Sequence, residues 1–83
     1  MADGGKLTVK VINPQKIVFE GEADFVIAPG KQGSLGIMPQ HTALYAELIA
    51  GDLVIESTLP ETLPIERGIL KVRNNIVTIL IGL

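Results

Sequence analysis

The chain has no cysteine and no tryptophan, and of its 83 residues only three are aromatic, one Tyr and two Phe. Without cysteine there is no disulfide, no thiolate nucleophile and no cysteine-ligated zinc, a pattern that fits a reducing compartment. Length allows one small domain, and with neither disulfide nor structural metal that domain must stand on its apolar core. There is no surplus of positive charge. Seven basic residues against nine acidic give a net charge of −2, and the five Lys and two Arg are scattered, so neither a basic stripe nor a stacking platform for nucleic acid is present. No apolar run approaches the ~20 residues that cross a bilayer. The longest is Ile76 to Ile81, and Thr78 interrupts it. No basic segment followed by an apolar one marks a secretory signal at the N-terminus. Met1–Gly5 reads as a loose tail, with residues 6–83 as the single domain.

What is abundant is β-branched. Eleven Ile and seven Val, in a chain that is 47% hydrophobic, suit half-buried pleated strands better than helices. Nine Gly and five Pro punctuate the chain at short intervals, and no stretch of twelve residues carries a clear helical apolar period. Closely spaced short strands predict an all-β sandwich or barrel. Leu7, Val9 and Val11 alternate with polar residues and form the inward face of a first strand. After the Asn13-Pro14 turn, Lys16–Glu22 reads as a second strand, with Ile17 and Phe19 on one face and Val18, Glu20 and Glu22 on the other. Asp24–Ala28 is a third, and Pro29–Gly33 a turn. Ser34–Met38 makes a short strand that Pro39-Gln40-His41 breaks. Thr42–Ala50 is ambiguous: Leu44 and Leu48 are four apart, as on a helix face, and Gly51 could end a helix. Asp52–Glu56 is strand, and Ser57–Leu63, bounded by Pro60 and Pro64, reads as loop. Asn74-Asn75 separates two final strands, because asparagine tolerates positive φ and suits a type I′ turn. Leu70 and Val72 then face the core, and Lys71 and Arg73 face water. The last strand is apolar on both faces, so it is central or covered by a partner.

Catalytic constellations are missing. His41 is the single histidine. Ser34 and Thr42 are near it in sequence, but no nucleophile elbow surrounds them. Gly30-Lys31-Gln32-Gly33 lacks the length, the following Ser or Thr and the helix of a phosphate loop, so it reads as a glycine turn. Gly33 and Gly36 lack the basic flanks of a backbone-phosphate clamp. Glu20 with Glu22, and Glu61 with Glu66, fit solvated faces better than a cleft with paired acids. No catalytic residue, cofactor or metal is expected. Leu35, Ile37, Met38, Leu44 and Tyr45 gather around a Gly- and Pro-rich segment and suit either a core or an adaptable interface.

Three blocks carry a resemblance. Phe19–Gly30 resembles the "YEGEADFVVAPG" segment of the epsilon subunits of F-type ATP synthases. Gly33–Leu44 resembles their "GELGILPGHAPL" signature, and Gly68–Leu80 their "GFLEVxNNVVTVL" ending. Order and spacing agree over residues 6 to 82. The resemblance implies a flattened β-sandwich of about ten short strands, with Thr42–Ala50 as strand. It implies a non-catalytic rotor subunit at the foot of the central stalk, which binds the gamma subunit and the membrane rotor ring (the c-subunit ring) within the F1 complex. Such a subunit rotates with them, without inserting into the bilayer, at the cytoplasmic face of a bacterial inner membrane. By the same resemblance the partner contacts fall on Ser34, Leu35, Ile37, Met38 and His41, with Asn13 a further candidate on the gamma side.

The sequence departs from the family in places. Ser34 stands where a Glu is common, and Gln40 where a Gly is usual, so the turn before His41 lacks easy access to positive φ. Ser57–Leu63 does not resemble the family's charged hairpin. The chain stops at Leu83, where family members continue into a helical hairpin that restrains ATP hydrolysis. Coupling without hairpin-mediated inhibition, and no nucleotide site, are expected. Two other readings compete: a lipoyl or biotinyl carrier domain with Lys31 at a hairpin tip, and a generic β-sandwich adaptor.

Overall fold

The computed structural model describes residues 5–82. Apolar–polar alternation becomes nine strands among them, with no helix. They are β1 (Leu7–Ile12), β2 (Ile17–Ala23), β3 (Phe25–Gly30), β4 (Gly33–Ile37), β5 (Leu44–Leu48), β6 (Gly51–Glu56), β7 (Glu61–Ile65), β8 (Gly68–Arg73) and β9 (Ile76–Ile81). The all-β reading holds, with nine strands rather than about ten. The expected tail lies outside the described residues but for Gly5.

Strand order along the curled sheet is β2-β1-β9-β8-β5-β3-β6-β7, with β4 added on the other side of β3. Five strands, β2-β1-β9-β8-β5, make one half, and β4-β3-β6-β7 the other. A single pairing, Gly30 with Leu48, joins them. The body measures 38 × 25 × 18 Å, flattened as two packed sheets about 10 Å apart require. Both halves feed one core: Leu7, Val9, Val11, Leu70, Val72, Val77 and Ile79 from the first, and Val26, Ala28, Ile37, Leu53 and Ile55 from the second. No polar or charged residue is buried with them among the described residues.

Local expectations are met where alternation is clean. In β8 Leu70 and Val72 are buried while Lys71 and Arg73 are exposed. Asn74 and Asn75 both take positive φ, 52° and 63°, and turn the chain into β9. That strand is central, parallel to β1 on one side and antiparallel to β8 on the other.

Four expectations need correction. Ile17 and Phe19 do not share a face. A bulge shifts the β1–β2 register, so that Val11 opposes Phe19 but Ile12 opposes Ile17. The extra residue, Val18, turns Ile17 outward to solvent while Phe19 packs on the core. The turn after the third strand is shorter than composition suggests: β3 runs on through Pro29 and Gly30, leaving Lys31 and Gln32 as its two central residues. The Ser57–Leu63 loop ends at Pro60, because Glu61–Ile65 pairs with β6. Pro64 is tolerated there since β7 is an edge strand and its missing N–H deprives no neighbour. Finally, Gln40 adopts φ 68° despite its side chain.

The Gln40 conformation is held by a long-range contact. Its backbone N–H donates to Asn75 Oδ1 at 2.6 Å, across from the β8–β9 turn. A non-glycine residue in the left-handed region costs roughly 1–2 kcal/mol, against which glycine loses roughly 0.5–1 kcal/mol in backbone entropy. Gln40→Gly keeps the N–H donor and is therefore expected to stabilise the chain by up to about 1 kcal/mol, raising the melting temperature by no more than about 4–8 °C. Thermal unfolding checks this, and a lowered melting temperature would show that the Gln40 side chain contributes more than its backbone strain removes.

Candidate functional site

The residues singled out from the sequence occupy three different settings. Ser34 and Leu35 lie on β4, the strand added to the outside of β3. Ser34 is exposed, while Leu35 packs partly against the core. Leu35 also lines a shallow hollow at the hairpin tip, together with Gly30, Lys31, Leu44, Tyr45 and Glu47. Lys31 Nζ and Glu47 Oε1 stand 3.4 Å apart at its rim, both exposed, and the Lys31 N–H donates to the Glu47 carbonyl at 2.9 Å. An exposed pair of this kind contributes at most about 1 kcal/mol. The backbone bond is what seats the tip of the β3–β4 hairpin against β5. Tyr45, which opposes Lys71 and points away from the core, is 70% exposed.

Ile37 leaves the interface set. It is fully buried, opposite Val26 in the core, so its side chain has no surface to offer. Its neighbour Met38 is the reverse, 59% exposed at the point where β4 ends. The chain then folds back: the His41 N–H donates to the Met38 carbonyl at 3.1 Å. His41 Nδ1 sits 2.7 Å from the Thr42 carbonyl, a contact that requires that nitrogen to carry its proton. His41, Gln40, Thr42 and Ala43 share a shallow hollow with Arg73, Asn74 and Asn75. The turn before β5 and the β8–β9 turn thus form one continuous end of the molecule.

Asn13 is elsewhere. It closes the β1–β2 turn, where its Oδ1 accepts from the N–H groups of Gln15 and Lys16 at 2.8 and 2.9 Å. The start of β1 adjoins the Asn75 end, because the Thr8 N–H donates to the Asn75 carbonyl at 2.8 Å. Asn13 follows the other end of that strand, about 20 Å away at the usual rise per residue. One small contact surface cannot hold both Asn13 and His41. The coupling of Gln40 to Asn75 was not foreseeable, since the two are thirty-five positions apart and neither carries a motif for it.

Glu20 and Glu22 stand on the solvent face of β2, Glu20 within 3.9 Å of Lys10. Among the described residues there is no group of three or more His, Asp or Glu arranged to hold a metal. Every hollow described is a shallow one between strand ends and turns. The molecule is a small β-sandwich that offers other molecules its strand edges, turns and partly apolar faces.

That architecture has relatives. Residues 6–82 match the family described as ATP synthase, Delta/Epsilon chain, beta-sandwich domain, and the chain belongs to that family. The ATP synthase epsilon chain of Leptospira borgpetersenii is 41% identical over 76 residues, which cover 90% of this chain and 60% of that protein. The epsilon chain of Brevibacillus brevis is 39% identical over 77 residues, covering 90% and 58%. The chain therefore spans about 60% of the length of these curated relatives. In solved structures the fold recurs in the mitochondrial ATP synthase of Euglena gracilis, with a TM-score of 0.85 at 15% identity over 92% of this chain and 50% of that one. It recurs in the central stalk and c-ring structure from Tetrahymena thermophila, with a TM-score of 0.78 at 20% identity over 93% and 63%. The carrier-domain reading finds no support among these relatives, and Lys31 at the hairpin tip is paired with Glu47.

Proposed function

We propose that this chain is the β-sandwich part of a rotor subunit of an F-type ATP synthase, which binds a gamma-type stalk subunit and the c-ring and couples ion-driven rotation to ATP synthesis. The match of residues 6–82 to the family carries the proposal. The two solved assemblies that share the fold support it, since they are described as OSCP/F1/c-ring and as central stalk/c-ring. Its place would be peripheral, at the cytoplasmic face of a bacterial inner membrane. It would supply no catalytic group. Its contribution is mechanical: a body whose nine strands share one apolar core resists shear, because sliding any strand breaks backbone pairing and core packing together.

The contact surface we assign comprises Ser34, Leu35, Met38 and His41 along β4 and the following turn. Asn13 belongs to a second contact region at the other end of β1. Exposed, unbranched Met38 suits an interface that must adapt to a neighbour. Co-purification of the chain with a tagged gamma subunit from the same organism, followed by size exclusion, tests the reading. A one-to-one complex is expected, and no complex at micromolar concentrations would overturn it. Met38→Glu is expected to weaken that complex by about 2 kcal/mol, roughly thirtyfold, with an unchanged circular dichroism spectrum. Unaltered affinity would take Met38 out of the interface.

A further inference from the structure

The sheet has outer edges that differ in how they are guarded. β2 carries Glu20, Glu22 and a bulge. β7 carries Glu61 and Pro64. Charge, proline and bulges are the devices that keep an edge from pairing with another chain. β4 has none of them: its sequence is Gly33-Ser34-Leu35-Gly36-Ile37, and among the described residues it pairs with β3 alone.

The direction of its backbone groups follows from the register. Pro29 opposes Ser34. Pro29 has no N–H, and its carbonyl accepts from the Ile49 N–H at 2.8 Å on the far side of β3. This is therefore a pair that exchanges no hydrogen bonds, and Ser34 turns its own N–H and C=O away from β3. By alternation Gly36, opposite Ile27, does the same. The free edge thus presents two donors and two acceptors, at exposed residues with little or no side chain. A Cβ placed on Gly36 would meet nothing within 4 Å, so no other part of the described chain packs over that face of β4 at this position.

We propose that the free edge of β4 is a strand-addition site, and that in the isolated chain a second copy occupies it, antiparallel about a two-fold axis through Leu35. In that register Ser34 of each copy opposes Gly36 of the other, and all four outward groups of each edge find partners. Leu35 meets Leu35 at the axis, where close pairs without hydrogen bonds bring side chains nearest. No charged residue lies within residues 33–38, so two identical edges meet without like-charge repulsion. The contact is short. It falls below the size of a stable interface, and a dissociation constant on the order of 0.1–1 mM is expected.

Sedimentation equilibrium of the full chain, from about 0.05 to about 2 mM, reads the association directly. The expected result is a mass rising from 8.9 kDa toward twice that value. Gly36→Pro removes one outward N–H that the β3–β4 pairing does not use, so the fold is retained and the variant stays monomeric across the range. Amide exchange of the unaltered chain makes the test independent of that variant. At about 2 mM, where such constants leave roughly 60–85% of the chains paired, the Ser34 and Gly36 amides should exchange about 2.5- to 7-fold more slowly than in dilute solution. A monomer throughout overturns the proposal, as does a dimer in which these two amides exchange at the dilute rate.

Discussion

Replacing Ile79 by alanine is expected to cost about 2–5 kcal/mol of folding stability. Ile79 is fully buried on the central strand β9, between Val11 of β1 and Leu70 of β8. Its truncation removes apolar area from the core and leaves a cavity that three paired strands cannot collapse to fill. A domain of this length has roughly 4–12 kcal/mol in total, so the variant sits near the edge of folding, with a melting temperature about 10–25 °C lower. Leu59→Ala is the control: Leu59 is 80% exposed, and its loss should stay within about 0.5 kcal/mol. Urea titration distinguishes the two. A cost below about 1 kcal/mol at Ile79 would mean that the core is organised around other strands.

The second large effect comes from adding a single methyl group. Gly68, buried at the start of β8, has no room for a Cβ, which would fall against the backbone oxygen of Leu80 and within 3.2 Å of Ile81 Cγ2. Side chains can rotate away from such a contact, but a backbone oxygen can do so only by moving β9. Gly68→Ala is therefore expected to cost about 2–3 kcal/mol, at the upper end of overpacking, and to fray the Gly68–Ile81 end of the β8–β9 pair. Gly36→Ala provides the contrast on open ground, with nothing within 4 Å, and should be neutral to slightly stabilising. Equal effects at both positions would contradict the packing described. The difference is invisible in the sequence, where both are glycines beside an isoleucine.

Legibility along the chain tracked how local the deciding physics was. β1, β8 and the Asn74-Asn75 turn were readable because alternation and left-handed tolerance are properties of a few adjacent residues. The segment from Thr42 to Ala50 was not, because a separation of four belongs to both periods. Leu44 and Leu48 share a face on a helix and equally on a strand, and the pairing of β5 with β8 makes it a strand. Pro64 read as a loop boundary because its tolerance in β7 depends on which strand lies at the edge. The face of Ile17 is not legible in the sequence, because one bulge residue inverts all that precedes it. The candidate contact residues divide in the same way. Nothing in Gly36-Ile37-Met38-Pro39 says that Ile37 is fully buried and Met38 largely exposed; the register of β4 against β3 decides it.

The sequence by itself determined the class and the kinship. Eighteen Ile and Val among short Gly- and Pro-bounded runs require sheet, and the three matching blocks tie residues 6–82 to the epsilon subunits of ATP synthases. Tertiary structure alone decided what the surface offers. It set β1 parallel to β9, from opposite ends of the chain, and brought the Gln40 turn under the Asn75 side chain. It carried Asn13 away from His41, and among the described residues it left β4 as the outer edge with neither charge, proline nor bulge. These are outcomes of pairing between distant segments. They follow from which strands can bury their apolar faces together, a condition that no window of adjacent residues contains.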